Sequence, residues 1–171
     1  MLKRPLKSPM SIKLASLSDA EDICRVQRRS WQHVYSQQLI SDMFQALPFE
    51  LHQQLWQQRL CSEENQIWVL KTTGIQGFLM LEKQTPEIEL AALYLQPDVI
   101  GQGWGRALLE QACQGTAQKD VYCWVMQDNP RAEGFYRHMG FKFTGEQRQV
   151  EFASSYFVQK KAHLAADQRF F

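Results

Sequence analysis

The sequence predicts one α/β domain built around a mixed sheet, and three observations carry that expectation. Ile88 to Leu95, a helical stretch from Gly105 and Val121 to Met126 follow one another as strand, helix and strand. Elsewhere, strand-like runs come in neighbouring pairs, as antiparallel hairpins do. The 171 residues, 44% of them hydrophobic, supply one buried core and are short for two.

Residues 1–9, with two prolines and alternating lysine and arginine, read as a loose extension, and the domain is expected over 10–163 with a short tail at 164–171. Ser11 to Ala15 is a strand. Ser18 and Asp19 cap a helix that carries Ile23 and Val26 towards Trp31 and Tyr35, and Ser18-x-x-Glu21 fits a capping box. Glu50 to Leu60 repeats its apolar residues at helical spacing. Ile67 to Lys71 and Gly77 to Glu82, separated by Thr73 and Gly74, read as a hairpin, and Ile88 to Leu95 is a strand stopped by Pro97. Beyond the helix from Gly105 and the strand to Met126, Asn129 to Met139 is a helix. Phe141 to Thr144 and Tyr156 to Lys160 are the last, antiparallel strands.

Nineteen basic against 18 acidic residues give a net charge of +1, too little field to hold nucleic acid or an anionic membrane by electrostatics alone. No segment approaches the ~20 apolar residues that span a bilayer, and the basic start lacks the apolar run of a signal peptide; a soluble, cytoplasmic protein is expected. Cys24, Cys61, Cys113 and Cys123 are widely spaced with no neighbouring histidine cluster, so reduced thiols and no metal site are expected.

The most informative run is Ile100-Gly-Gln-Gly-Trp-Gly-Arg106, between a strand and a helix. Its glycines let backbone N–H groups converge on an anion, and the helix N-terminus adds partial positive charge, so a phosphate or pyrophosphate is the natural occupant. A dinucleotide fingerprint would need a glycine at Arg106, and a P-loop would need Gly-Lys-Ser or Gly-Lys-Thr; both are absent. Asn129-Pro130 opens the next helix, where Ala132, Phe135, Tyr136 and Met139 share an inward face. Tyr136 therefore brings a hydroxyl that needs a partner into the core.

Leu93-Tyr-Leu-Gln-Pro97, then Gly101-Gln-Gly-Trp-Gly-Arg-Ala-Leu-Leu109, then Asn129-Pro-Arg-Ala-Glu-Gly-Phe-Tyr136 with Gly140-Phe141, resembles the GNAT family of N-acetyltransferases in order and spacing. The resemblance covers roughly residues 10–160. It implies the acyl-CoA N-acyltransferase fold, a V-shaped, splayed mixed sheet of about seven strands flanked by about four helices. It also implies acetyl-CoA as co-substrate, with the pantetheine paired to the backbone of Leu93 and Leu95. The amides of Gly101, Gln102, Gly103, Trp104, Gly105 and Arg106 would hold the pyrophosphate, Asn129 would touch the pantetheine, and Tyr136 would stand near the thioester sulfur. Ile100 departs from the family, which carries glutamine or arginine there, but main-chain donors survive that change.

The implied reaction is direct attack of a neutral amine in a ternary complex, with Tyr136 as general acid to the leaving thiolate and Glu89 as base, directly or through water. The acceptor is a primary amine of a small molecule or peptide, with Trp31 and Tyr35 on the resembling first helix as candidate contacts; His33 and Trp56 are further aromatic candidates. Trp124 stands where enzymes that acetylate ribosomal-protein N-termini carry glutamate, and the acidic residues are scattered, without the density that polyamines favour. A ping-pong route through Cys123, and an acetyl-CoA sensor without turnover, are the alternatives. A homodimer through the last strands and Phe170-Phe171 is a further expectation.

Overall fold

The computed structural model describes residues 9–116 and 118–169, so the expected extension lies outside the described residues except for Pro9, as do Phe170 and Phe171. Seven strands form one sheet in the order β1-β2-β3-β4-β5-β7-β6. They are β1 (Ser11–Leu14), β2 (Asn65–Lys71), β3 (Ile75–Lys83), β4 (Ile88–Leu95), β5 (Val121–Met126), β6 (Lys142–Phe152) and β7 (Ser155–Leu164). Among the described residues five α-helices accompany them, one more than expected: α1 (Ala20–Val34), α2 (Gln37–Ala46), α3 (Phe49–Cys61), α4 (Trp104–Gln114) and α5 (Pro130–His138).

The departures from expectation have local causes. The box that opens the first helix is two residues earlier: the carboxylate of Asp19 accepts from Ser16 N at 2.9 Å and Ser16 Oγ at 3.0 Å, across a 3-10 turn at Leu17–Asp19. Helix α2 shows in sequence only a narrow stripe diluted by glutamines; Ser36 caps it, accepting from Leu39 N at 3.3 Å, and the Arg28 guanidinium lies 3.7 Å from the Phe44 ring centroid. Strand β6 runs to Phe152, well past Thr144, because an edge strand open on one face needs no apolar alternation. Leu164, assigned to the tail by the sequence, ends β7 wholly buried, and Arg169 reaches back to donate to Cys113 O at 3.2 Å and Thr116 Oγ1 at 2.6 Å.

Two apolar cores sandwich the sheet. Under α4 and α5 lie Leu79, Leu90, Leu108, Leu109 and Val121; under α1 and α3 lie Ile23, Val26, Trp56, Val69 and Phe78. Strand β4 serves both cores because its register slips against β3: Met80 pairs with Ala92 and Leu81 with Leu90, leaving Ala91 as the bulge. Ile88 and Leu90 therefore face the α4 side, and Ala92 and Tyr94 face the α1 side. Gly77 lets β3 approach the end of β4, since a Cβ there would meet the Leu95 side chain and come within 2.9 Å of Tyr94 O.

The sheet opens between β4 and β5, its one parallel pair. Only Ile88↔Val121 and Glu89↔Tyr122 are in register, and beyond them the strands part. The edge of β4 from Leu90 to Leu95 is thus left without a strand neighbour on that side, which is the V of the expected fold.

Candidate active site

A cleft of about 560 Å³ fills this opening, walled by β4 and β5, by the end of α1, by the Ile100–Arg106 loop with α4, and by α5. Gly101 and Gly103 adopt left-handed backbone, φ +78° and +85°, which is the conformational reason for glycine at both. Gly103 caps α4, and the first helical bond runs from Ala107 N to Gly103 O at 3.1 Å. The amides of Trp104, Gly105 and Arg106 therefore have no partner inside the helix. Gly105 brings helix to cleft wall: a Cβ there would stand 3.1 Å from Phe135 Cε2 and 3.7 Å from Leu95 Cδ1. These free amides, an unpaired strand edge, and a lining with no Asp or Glu among its described residues suit a long, anionic, amide-containing group such as coenzyme A.

Most predicted site residues meet here. Leu93, Leu95, Gly101, Gly103, Gly105, Arg106, Asn129, Tyr136, Trp31 and Tyr35 all line the cleft. Gln102 and Trp104 are not among the lining residues: the Gln102 side chain donates to Asp98 O at 2.8 Å and closes the loop, and Trp104 packs on the core. Arg106 is braced by Glu110 at 2.5 Å. Asn129 Oδ1 accepts from Ala132 N at 3.1 Å, capping α5 at the cleft wall. Ser30 donates to Leu95 O at 3.0 Å, tying α1 to the end of β4.

Tyr136 is buried, its ring edge-on to Phe135 and Phe141 at 5.2 Å each. Burial pushes its hydroxyl well above the usual tyrosine value, helped by Cys123 and Tyr94, so it stays protonated at neutral pH. Glu89 is not among the cleft-lining residues. It stands before the bulge, and its carboxylate accepts from the Tyr122 hydroxyl at 3.1 Å. Burial and Glu89 together push the Tyr122 hydroxyl up to about 12.

Trp31 is held on two sides: its ring stacks on His52 at 5.2 Å with 6° between planes, and its Nε1 donates to the Tyr94 hydroxyl at 3.4 Å. Phe152 and Phe157 of the β6–β7 hairpin approach Trp31 and Tyr35, each at 6.1 Å. Burial raises the Tyr35 hydroxyl to about 12, with Tyr94 adding to it. His33 lines the cleft, but Trp56 does not: it is fully buried and donates to Gln27 at 2.9 Å. Cys123 is also buried and is not among the cleft-lining residues, and the burial pushes its thiol far up. Ser30, Trp124, Met126 and Arg131 also line the cleft without having been singled out as ligands; only the position of Arg131, just inside the α5 N-terminus, signalled a place near an anion.

Residues 21–141 match the model of the "Acetyltransferase (GNAT) family". The chain belongs to the GNAT acetyltransferases. The family is acetyl-CoA-dependent, and two relatives are peptidyl-lysine N-acetyltransferases named YjaB. The Escherichia coli K12 protein is 32% identical over 105 residues, 60% of this chain and 67% of its own length. The Salmonella typhimurium LT2 protein is 38% identical over 84 residues, 48% of this chain and 54% of its own length. The match thus spans about half of the Salmonella protein. Among solved structures, the PaiA N-acetyltransferase of Thermoplasma acidophilum in complex with coenzyme A superposes with a TM-score of 0.68, at 21% identity, over 89% of this GNAT chain and 98% of that one. YncA from Salmonella typhimurium with acetyl-CoA gives 0.68 at 17% identity over 96% and 98%. Both carry the GNAT fold.

Proposed function

We propose that this chain transfers the acetyl group of acetyl-CoA to a primary amine, the ε-amine of a lysine in a peptide or a small molecule, within a ternary complex. The observation that carries this reading is one cleft holding both a row of unpaired amides at the α4 N-terminus and a protonated Tyr136 hydroxyl. The two peptidyl-lysine relatives favour lysine as the acceptor.

Acetyl-CoA supplies the activated thioester. The glycine-loop and α4 amides, with Arg106, hold its diphosphate, and the open edge at Leu93 and Leu95 pairs with its pantetheine, beside Asn129. Trp31 and Tyr35 flank the amine's approach. A lysine-like amine, pKa ~10.4, must shed its proton before the new C–N bond forms. That proton leaves through water to Glu89, because Glu89 is not among the residues that line the cleft. As the C–S bond breaks, Tyr136 gives its hydroxyl proton to the departing sulfur.

The test is release of free coenzyme A from acetyl-CoA across a panel of lysine peptides and monoamines, with mass spectrometry of the acceptor. Turnover that adds one acetyl group to an amine is expected. Tight acetyl-CoA binding with no release against any amine would make the chain a sensor and overturn the proposal.

A further inference from the structure

Trp124 and Met126 of β5, half-buried on the sheet face opposite the buried Cys123 and Val125, form a wall of the cleft. Arg148 of β6 lies over that wall, its guanidinium carbon 4.4 Å from the Trp124 ring centroid. Its Nε donates to Gln159 Oε1 at 2.7 Å, and Gln159 in turn reaches the Met126 sulfur at 3.6 Å. The guanidinium is thereby tethered over the ring through its Nε, while its two terminal nitrogens have no carboxylate within ion-pair distance among the described residues.

Of the other exposed arginines, Arg131 also has no carboxylate within ion-pair distance among the described residues, but no ring or side-chain bond holds its guanidinium as Trp124 and Gln159 hold that of Arg148. Arg25, Arg106 and Arg137 are each bonded to a glutamate one turn earlier or later on their own helix. The acids around Arg148 are engaged elsewhere: Glu146 and Glu87 with Lys161 at 3.6 and 3.9 Å, and Glu89 with Tyr122. The cleft lining contains Arg106 and Arg131 and, among its described residues, no carboxylate. An amine with further positive charges finds no partner in it. A planar fork held on an aromatic ring with both ends free suits a bidentate carboxylate.

We propose that Arg148, laid on Trp124, is the docking point for a carboxylate carried by the acceptor, so that amines bearing an anionic group are selected over plain amines and polyamines. The inference rests on the transferase reading for its biological meaning, but its test does not need turnover.

The test titrates coenzyme A-loaded protein by calorimetry with Nα-acetyl-lysine, with Nα-acetyl-lysine amide and with acetyl-Gly-Lys-Glu-amide. The first and third carry an α- and a side-chain carboxylate, so they separate the two sources of that group. At least one binds about tenfold more tightly than the amide, the worth of one charge-assisted pair, and kcat/KM follows the same ratio. In Arg148→Gln the ratio falls to near one, while unchanged coenzyme A affinity attests the fold; Arg148→Lys keeps part of it, retaining charge but not the fork. Equal binding of acid and amide by the wild type, or a preference that survives in Arg148→Gln, overturns the inference. An Arg148-dependent preference without any coenzyme A release upholds the docking point and sinks the transferase reading alone.

Discussion

The two walls of the cleft are built by different means. The wall proposed for the cofactor is main chain: two left-handed glycines, the orphan amides of α4 and the unpaired edge of β4, all within residues 90–106. The wall proposed for the acceptor is side chain, with Trp31, Tyr35 and Trp124 lining the cleft and Phe152, Phe157 and Arg148 of β6 and β7 packed against them from across the sequence. A backbone site tolerates many side chains but few changes of conformation. A side-chain site does the reverse, which is why one scaffold keeps its cofactor while its acceptor changes.

The largest expected effect belongs to the point where the walls meet. Tyr136→Phe lowers turnover about ten- to a thousandfold and leaves coenzyme A affinity within twofold, because the variant loses only the proton donor. Steady-state rates together with calorimetry check both halves, and unchanged turnover would remove Tyr136 from the chemistry. Gly103→Val attacks the cofactor wall alone. A β-branched residue at φ +85° costs roughly 1–3 kcal/mol or moves the helix cap, so coenzyme A affinity falls on the order of ten- to a hundredfold, although a Cβ there meets nothing within 4 Å. Affinity within twofold of wild type would mean that the amides do not need this backbone.

The same contrast explains what the sequence reveals. The glycine loop, the strand before it and the Asn129-Pro130 cap are local signals, and they place β4, β5, α4 and α5 to within a residue or two. The acceptor wall has no such signal. The β6–β7 hairpin turns through Ala153 and Ser154, both left-handed at φ 51° and 61°, with no Asn-Gly or Asp-Gly to mark it. Hence β6 reads as a loop beyond Thr144, and Phe152, Phe157 and Arg148 go unnoticed. Glu89 lies outside the cleft lining, and counting along β4 cannot foresee the bulge at Ala91 that separates it in register from Leu93 and Leu95. Trp56 looks like its neighbour Trp31 in sequence, and only the packing of α3 on β3 puts it in the core, edge-on to Phe78 at 5.0 Å.

The smallest expected effect sits beneath the acceptor wall. His52 is 1% exposed, with Nε2 2.8 Å from Gln27 Oε1 and Nδ1 without a partner, and its ring supports Trp31. Burial, aided by the charges of Arg28 and Arg59, lowers it from 6.5 to about 4. Between those values the unfolded chain takes up a proton that the folded chain refuses. Stability therefore falls as pH drops through that window, by about 3 kcal/mol in all, and His52 takes nothing further below it. Asp19 also has a lowered value, since its bonds to Lys71 and Ser16 outweigh its burial, but its contribution is lost only below the ordinary carboxylate range. Urea unfolding at pH 7.5 and 4.5 separates the two. The wild type loses about 2 to 3 kcal/mol more than His52→Gln over that interval, even though the variant starts less stable because Trp31 has lost its stacking partner. An equal loss in both proteins would mean that the folded chain protonates His52 readily, and that Trp31 rests on a charged ring instead of a neutral one.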